Sequence, residues 1–248
     1  MQKPYLTGVV LTRNEYATLS VCLRSLQFCD EIIVVDDYST DETRLIAQKL
    51  GASVFKHHLN GNYAFQRNIG LKKARGEWVL FVDADEVVSK ALAQNITRAI
   101  KKGFYAGYLV KRYDIWLGKK MQAGSGVAWL LRLAKRNSGK WVRSVHEVWE
   151  VEGEVGNLSG QLLHYPHPSV NSFIEHVSSY AKLHAEENLT EGKRSSLAKI
   201  LFVPVLKAFD IYIFKGGYRD GTHGLVYTMI MSLHSFLAWW ELYLWKKR

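Results

Sequence analysis

Short apolar runs alternate with stretches whose apolar positions recur every three or four residues through the first hundred positions of the chain. Tyr5 to Leu11, Glu31 to Val35, Ala52 to Phe55 and Trp78 to Val82 read as strands. Leu19, Cys22, Leu23 and Leu26 recur at helical spacing between the first two. Ser39 and Glu42 form the pattern of a capping box, which predicts a helix running to Leu50 and stopping at Gly51. A further helix is expected from Ala64 to Ala74, ended by Arg75-Gly76, and another from its cap at Ser89 to about Lys101. Repeated βαβ units of this size imply a parallel sheet with right-handed crossovers. The unbroken run Trp78-Val79-Leu80-Phe81-Val82 suits a strand buried on both faces, which is the centre of such a sheet.

The pattern changes after Phe104. To about Leu163 the chain reads as short strands rich in aromatic and β-branched residues, with a flexible loop at Gly124 and Gly126. His176 to Glu187 reads as a helix. The last fifty residues are apolar with scattered basic residues, in two stretches, Ile200 to Phe214 and Leu225 to Trp245. The first is short for a membrane span and interrupted by Lys207 and Asp210; the second contains His234 and Glu241 and ends in Trp239, Trp240 and Trp245. Apolar faces, aromatics and flanking Lys/Arg predict two helices lying at a membrane surface. The alternative is a helical pair packed on the rest of the chain or on another subunit.

Composition sharpens this only in places. A chain of 248 residues with 48% hydrophobic residues has room for one α/β domain with a tail, or for two small domains. The 33 Lys and Arg against 23 Asp and Glu give a net charge of +10, which favours anionic partners. The two cysteines, Cys22 and Cys29, indicate reduced structural thiols rather than a disulfide framework. Met1 to Tyr5 leads into the first strand without an apolar signal segment, so a cytoplasmic location is expected.

Candidate chemistry lies where the strands end. In open α/β sheets, ligands bind outside the carboxyl ends of the strands. The Trp78–Val82 run delivers Asp83, Asp85 and Glu86 there; adjacent carboxylates repel unless a cation neutralises them, which suits Mg²⁺ or Mn²⁺ shared with substrate phosphates. Thr12-Arg13-Asn14-Glu15 follows the first strand and Asp36-Asp37-Tyr38-Ser39-Thr40-Asp41 the second, while Gln66-Arg67-Asn68 lies in the helix before Trp78. Asp36 or Asp37 can accept from a nucleobase or ribose, and Arg67 can supply charge to a pyrophosphate. Neither G-x-G-x-x-G nor G-x-x-x-x-G-K-[ST] occurs, so dinucleotide and P-loop folds are disfavoured. So many carboxylates at these positions argue against nucleic acid as the partner.

These segments, Leu11-Thr12-Arg13-Asn14-Glu15, Val34 to Thr43, Arg67-Asn68-Ile69-Gly70-Leu71 and Phe81-Val82-Asp83-Ala84-Asp85-Glu86, resemble in order and spacing the motifs of family 2 inverting glycosyltransferases over roughly the first 100 residues. Val145-His146-Glu147, Leu163-His164-Tyr165 and Lys215-Gly216-Gly217-Tyr218-Arg219-Asp220-Gly221, with Gly224, resemble the subgroup of bacterial lipopolysaccharide-core β-glucosyltransferases. Tyr38 departs from the glycine that commonly follows the paired aspartates. The resemblance implies a GT-A fold: α/β, a Rossmann-like, mostly parallel sheet flanked by helices, here with a C-terminal helical, membrane-associating extension. It implies a catalytic domain over 1–192, with a nucleotide-binding half at 1–103 and an acceptor-side half at 104–192, followed by the tail at 193–248. It implies metal-dependent transfer from a nucleotide-diphosphate sugar, with UDP-sugar the expected donor, to a lipid-linked or cell-envelope glycan acceptor. By the same resemblance Thr12, Arg13 and Glu15 line the base pocket, and Asp36 and Asp37 contact the nucleoside. Asp83 faces the ribose, and Asp85 with His164 holds the divalent cation, His146 being the competing histidine. Inversion needs a general base across the sugar from the leaving group, and Glu147 is the candidate. The expected setting is peripheral, on the inner face of the cytoplasmic membrane, with an anionic membrane surface as partner and the C-terminal helices as a possible oligomer contact. A sugar nucleotidyltransferase and a non-enzymatic basic membrane-binding protein are the competing readings.

Overall fold

The alternation at the start of the chain folds as β1 (Leu6–Thr12), α1 (Leu19–Ser25), β2 (Glu31–Asp36), α2 (Thr43–Lys49), β3 (Ser53–Lys56), α3 (Tyr63–Lys73) and β4 (Trp78–Asp83). There follow β5 (Glu86–Val88), α4 (Lys90–Lys102), β6 (Gly107–Trp116), β7 (Lys119–Lys120), β8 (Val127–Lys135), β9 (Gly139–Val142), β10 (Val148–Val151) and β11 (Val155–His164). Three helices close the chain: α5 (Val170–Thr190), α6 (Leu197–Phe209) and α7 (Gly221–Trp245). The computed structural model describes residues 5–144, 146–166 and 168–245. Val145 of the sequence motif, the leading residues 1–4 and the terminal basic residues Lys246, Lys247 and Arg248 lie outside the described residues. The chain divides into two units, one of Met1–Arg112 and Trp129–His164, the other of Tyr113–Ala128 and Tyr165–Arg248.

In the first unit the main sheet runs in the order β3-β2-β1-β4-β8-β6-β11-β5. The half containing β3, β2, β1 and β4 is parallel, as the βαβ pattern requires. Beyond it β8 runs antiparallel to β4 and β11 antiparallel to β5. The central strands are buried on both faces. Leu6, Val10, Val34, Leu80 and Val82 pack with α1 and α4 through Leu19, Leu23, Leu92 and Ile96. Val9, Ile33, Val35, Val79 and Phe81 pack on the other side with Ala64 and Leu71 of α3 and with Trp141 and Trp149. Alternation along each strand assigns neighbours to opposite faces, so an unbroken apolar run serves two cores at once. Gly70 sets how closely α3 approaches: a Cβ there would stand 2.5 Å from Val9 Cγ1.

Two local expectations are corrected. Ser39 does not cap α2. The helix begins at Thr43, and the residue before it, Glu42, makes no side-chain cap. The Ser39 hydroxyl donates to Asp36 instead, while Asp41 accepts from the Thr43 N–H at 3.0 Å. A buried carboxylate competes for the hydroxyl and wins, because Asp36 has no solvent to satisfy it. The helix read as His176 to Glu187 is longer on both sides, starting behind a Ser169 cap and reaching Thr190. The Ser89 cap of α4 forms as expected, accepting from the Leu92 N–H.

In the second unit Gly124–Gly126 form a single 3-10 turn. Asp220 is fully buried and accepts from the Gln122 and Ala123 N–H groups at 3.0 and 3.1 Å. The segment from Lys215 to Gly221 is therefore a packed knot: Gly124 N–H donates to the Lys215 carbonyl, and a side chain at Gly224 would collide with the Gly217 carbonyl. Trp116, Met121, Phe173, Val177, Tyr227 and Ile230 form the core of this unit. Among the described residues no helix is long and apolar enough to cross a membrane.

Candidate active site

The parallel arrangement of β1, β2 and β4 brings their carboxyl ends side by side, with Thr12 paired to Asp36 and Leu11 to Asp83. The loops leaving β1 and β2 are tied together. The Asp37 N–H donates to the Thr12 carbonyl, Asn14 N–H to the Ser39 hydroxyl and Glu15 N–H to the Thr43 hydroxyl. Arg13, largely exposed, donates to Asp37 at 3.0 Å, and the Leu59 N–H donates to the other Asp37 oxygen. Asp36 is fully enclosed: both its oxygens are held by Ser39, with Arg44 at 3.8 Å. The two aspartates thus differ in kind. Asp36 shapes the turn from beneath, and Asp37 stands at its edge beside an exposed arginine. Thr12 Oγ1 is buried without a hydrogen-bond partner among the described residues. Burial pushes the Glu15 carboxyl up, against a lowering bond from Thr18, with the charges of Asp85 and Asp41 adding to the rise.

Asn14 and Tyr38 both adopt positive φ, 55° and 50°. The position usually given to glycine keeps the left-handed conformation here, at a cost of about 1–2 kcal/mol for a side chain. Tyr38 stacks on His58 with ring centroids 3.8 Å apart, a contact that offsets part of that cost.

Arg67 is the centre of the site. It projects from α3, which an Asn62 cap begins and which Asn68 anchors to the β9–β10 hairpin through paired bonds with the Trp141 backbone. Its guanidinium lies 4.7 Å from the Trp141 ring centre and is buried. Nε donates to Glu147 at 2.8 Å and Nη2 to Asp83 at 2.8 Å. One cation therefore clamps the two carboxylates, 64 positions apart in sequence by their numbers. Nη1 is buried without a hydrogen-bond partner among the described residues.

Behind Asp83 stands a second arginine that the sequence reading did not single out. Arg132 of β8 donates to Asp83 at 2.7 Å and to Glu86 at 3.4 Å, and Arg112 of β6 lies 3.6 Å from Glu86. Glu86 also accepts from the Asp83 N–H at 2.9 Å. Burial would raise the Asp83 pKa, but Arg132 and then Arg67 hold it well below the usual carboxylate range. Glu86 is pushed up by burial, with Arg132 opposing. The signal for Arg132 was present: a lone arginine inside the apolar strand Val127–Lys135 has to find a buried partner.

Asp85 and His164 meet although they lie at distant positions. The β5–β11 pairing sets His164 opposite Glu86, and His164 Nε2 stands 3.2 Å from Asp85 Oδ2. Among the described residues no three His, Cys, Asp or Glu side chains gather as a complete ligand set. One carboxylate and one imidazole suit a divalent ion whose remaining ligands are substrate phosphates and water. His146, the competing histidine, has a positive φ of 53° and flanks Glu147.

The sequence pattern of glycosyl transferase family 2 matches residues 8–135. The lipopolysaccharide core biosynthesis glycosyltransferase LpsC of Rhizobium meliloti is 30% identical over 96% of this chain and 92% of its own length. A GalNAc(5)-diNAcBac-PP-undecaprenol beta-1,3-glucosyltransferase of Campylobacter jejuni is 37% identical over 39% of this chain and 35% of its own. Among solved structures, glucosyl-3-phosphoglycerate synthase from Mycobacterium tuberculosis, in complex with Mn²⁺, UDP and phosphoglyceric acid, superposes with a TM-score of 0.52. It covers 78% of this chain and 80% of its own, at 19% identity.

Proposed function

The chain belongs to glycosyl transferase family 2, with a GT-A fold, and from that premise we propose metal-dependent, inverting transfer of a sugar from a UDP-sugar to a lipid-linked or cell-envelope glycan, such as a lipopolysaccharide core. The reading rests above all on Arg67, which ties Glu147 and Asp83 together within the same unit as the Asp85–His164 pair. Thr12, Arg13 and Glu15 line the base pocket, and Asp37, backed by Asp36, meets the nucleoside. Asp83 lies on the ribose side, fixed by its two arginines. Asp85 and His164 would hold a divalent cation, Mg²⁺ or Mn²⁺, which would neutralise the diphosphate charge when bound. The relative with Mn²⁺ and UDP bound supports that choice, and LpsC supports the acceptor class.

Glu147 takes the proton of the acceptor hydroxyl as that oxygen bonds to the anomeric carbon and the bond from carbon to diphosphate oxygen breaks. The leaving nucleotide diphosphate carries away the electron pair, and attack from the opposite face inverts the anomeric centre. Arg67 holds the base in position throughout through its Nε bond. The acceptor places the enzyme at the periphery of the inner face of the cytoplasmic membrane.

The test is a donor screen that measures nucleotide diphosphate release and the configuration of the product by NMR. Release should need Mg²⁺ or Mn²⁺ and stop with EDTA. Asp85→Ala should lower it at least a hundredfold, and Glu147→Gln should lower kcat by roughly 10²–10⁴-fold. Release indifferent to Asp85→Ala, or a product retaining the donor configuration, would overturn the proposal.

A further inference from the structure

The second unit carries two helices whose apolar residues are not all buried. Leu197, Leu201, Phe202, Val205, Leu206 and Phe209 of α6 are each at least 50% exposed. At about 100° per residue they occupy one half of the helix circumference, while the buried Ile200 and Pro204 lie on the remaining side. On α7, Leu225, Met229, Leu233, Phe236, Trp240 and Leu244 form an exposed stripe about 29 Å long at 1.5 Å per residue. Phe214, at the turn between them, is 83% exposed.

The two stripes share a side. Ser195 Oγ donates to the Trp239 carbonyl, Lys199 lies 4.9 Å from the Trp239 ring centre, and Ser232 Oγ donates to the Pro204 carbonyl, so the helices run antiparallel. From the Pro204–Ser232 contact the α6 face is turned by about 110° and the α7 face by about 70° in the direction of increasing residue number. Antiparallel helices wind in opposite senses when viewed from one end, so both faces turn the same way. An exposed apolar area of this extent marks an interaction site.

Charge decides the occupant. Lys193 and Lys215 pair with Glu191 and Asp210 at 2.6 and 2.8 Å, and Arg194, Lys199, Lys207 and Arg219 lie along the same segment against Glu241 and the fully buried Asp220. A two-fold dimer through this face would bring a segment with a net positive charge toward its own copy, with little acid to pair with it. An anionic bilayer offers apolar depth and opposite charge together. We propose that the joint face of α6 and α7 docks this protein on anionic lipid, both helices lying in the plane of the interface. The proposal deepens the membrane-peripheral reading above, but its test involves neither donor nor acceptor, so it stands or fails apart from the transferase chemistry.

The experiment is flotation of the full chain with vesicles of phosphatidylcholine and phosphatidylglycerol, and with phosphatidylcholine alone. Binding should favour the anionic vesicles at least fivefold and weaken as salt rises. The double substitution Leu206→Glu and Phe209→Glu should lower partitioning at least tenfold, while its circular dichroism matches the parent. In the parent, tryptophan emission should shift to the blue on binding as Trp240 leaves water. Failure of the parent to float with anionic vesicles, or equal flotation by the double variant, overturns the proposal. So does a dimer in light scattering that the double substitution converts to monomer, which would give the face to a second copy.

Discussion

Replacing Arg132 by Gln withdraws the cation that Asp83 and Glu86 share. Arg132 is 6% exposed, and its Nη2 stands 2.7 Å from Asp83 and 3.4 Å from Glu86. Breaking a buried ion pair from one side costs about 3–5 kcal/mol, because the surviving charge is left without its partner. The low end applies here, since Arg67 still holds Asp83 and Arg112 remains 3.6 Å from Glu86. A loss of about 3 kcal/mol corresponds to a fall in Tm of roughly 6–12 °C for a chain of this size. Glu86→Gln keeps an oxygen that can accept from the Asp83 N–H while removing the charge. In the Arg132→Gln background it should therefore cost less than in the parent, a coupling of about 1–3 kcal/mol. Denaturant unfolding of the four proteins of this cycle, in metal-free buffer, measures it. Additivity within about 0.5 kcal/mol, or a loss below about 1 kcal/mol for Arg132→Gln alone, would refute a shared buried cation.

Three further outcomes can be checked by unfolding measurements. Gly70→Ala should destabilise by about 1–3 kcal/mol through overpacking against Val9 and Val35, even though alanine is the better helix former; a gain in stability would mean that α3 shifts freely. Burial would raise the Glu31 pKa, but the Arg75 N–H, the Thr7 hydroxyl and the Arg75 guanidinium hold it below its ordinary value. A depressed carboxylate adds stability above its unfolded pKa and loses it as pH falls through the folded one. Glu31→Gln should therefore cost about 1 kcal/mol near pH 7, discounted for the exposed Arg75, and progressively less as pH falls through the folded pKa of Glu31; a pH-independent difference counts against this. Tyr38→Ala keeps the left-handed backbone but loses the His58 stack, so it should cost about 0.5–1 kcal/mol, whereas Tyr38→Gly should be near neutral because relief of φ offsets the loss. Equal effects of the two substitutions would mean that the backbone conformation carries no strain.

Much of the first unit was legible from hydrophobic pattern alone. The runs ending at Leu11, Val35 and Val82 became parallel strands because each is apolar at consecutive positions, and only burial on both faces satisfies that. The acidic and basic clusters at their ends converge because parallel strands end on the same edge. Local chemistry near buried charge was harder to read: Ser39 matched a capping pattern, yet the enclosed Asp36 took its hydroxyl. A lone arginine in the apolar strand around Arg132 signals that it needs a buried partner but not which one, since Asp83 lies 49 residues away.

By itself the sequence determined the order of elements, the edge at which chemistry gathers and the residue types available there. Only the tertiary structure decided which of them touch: that β5 pairs with β11 and so brings His164 to Asp85, and that α3 packs closely enough for Arg67 to join Glu147 to Asp83. Periodicity is a local property, recorded in neighbouring residues. A charge pair is settled by how sheet register and helix approach place two distant side chains, and by the cost of burying either one alone.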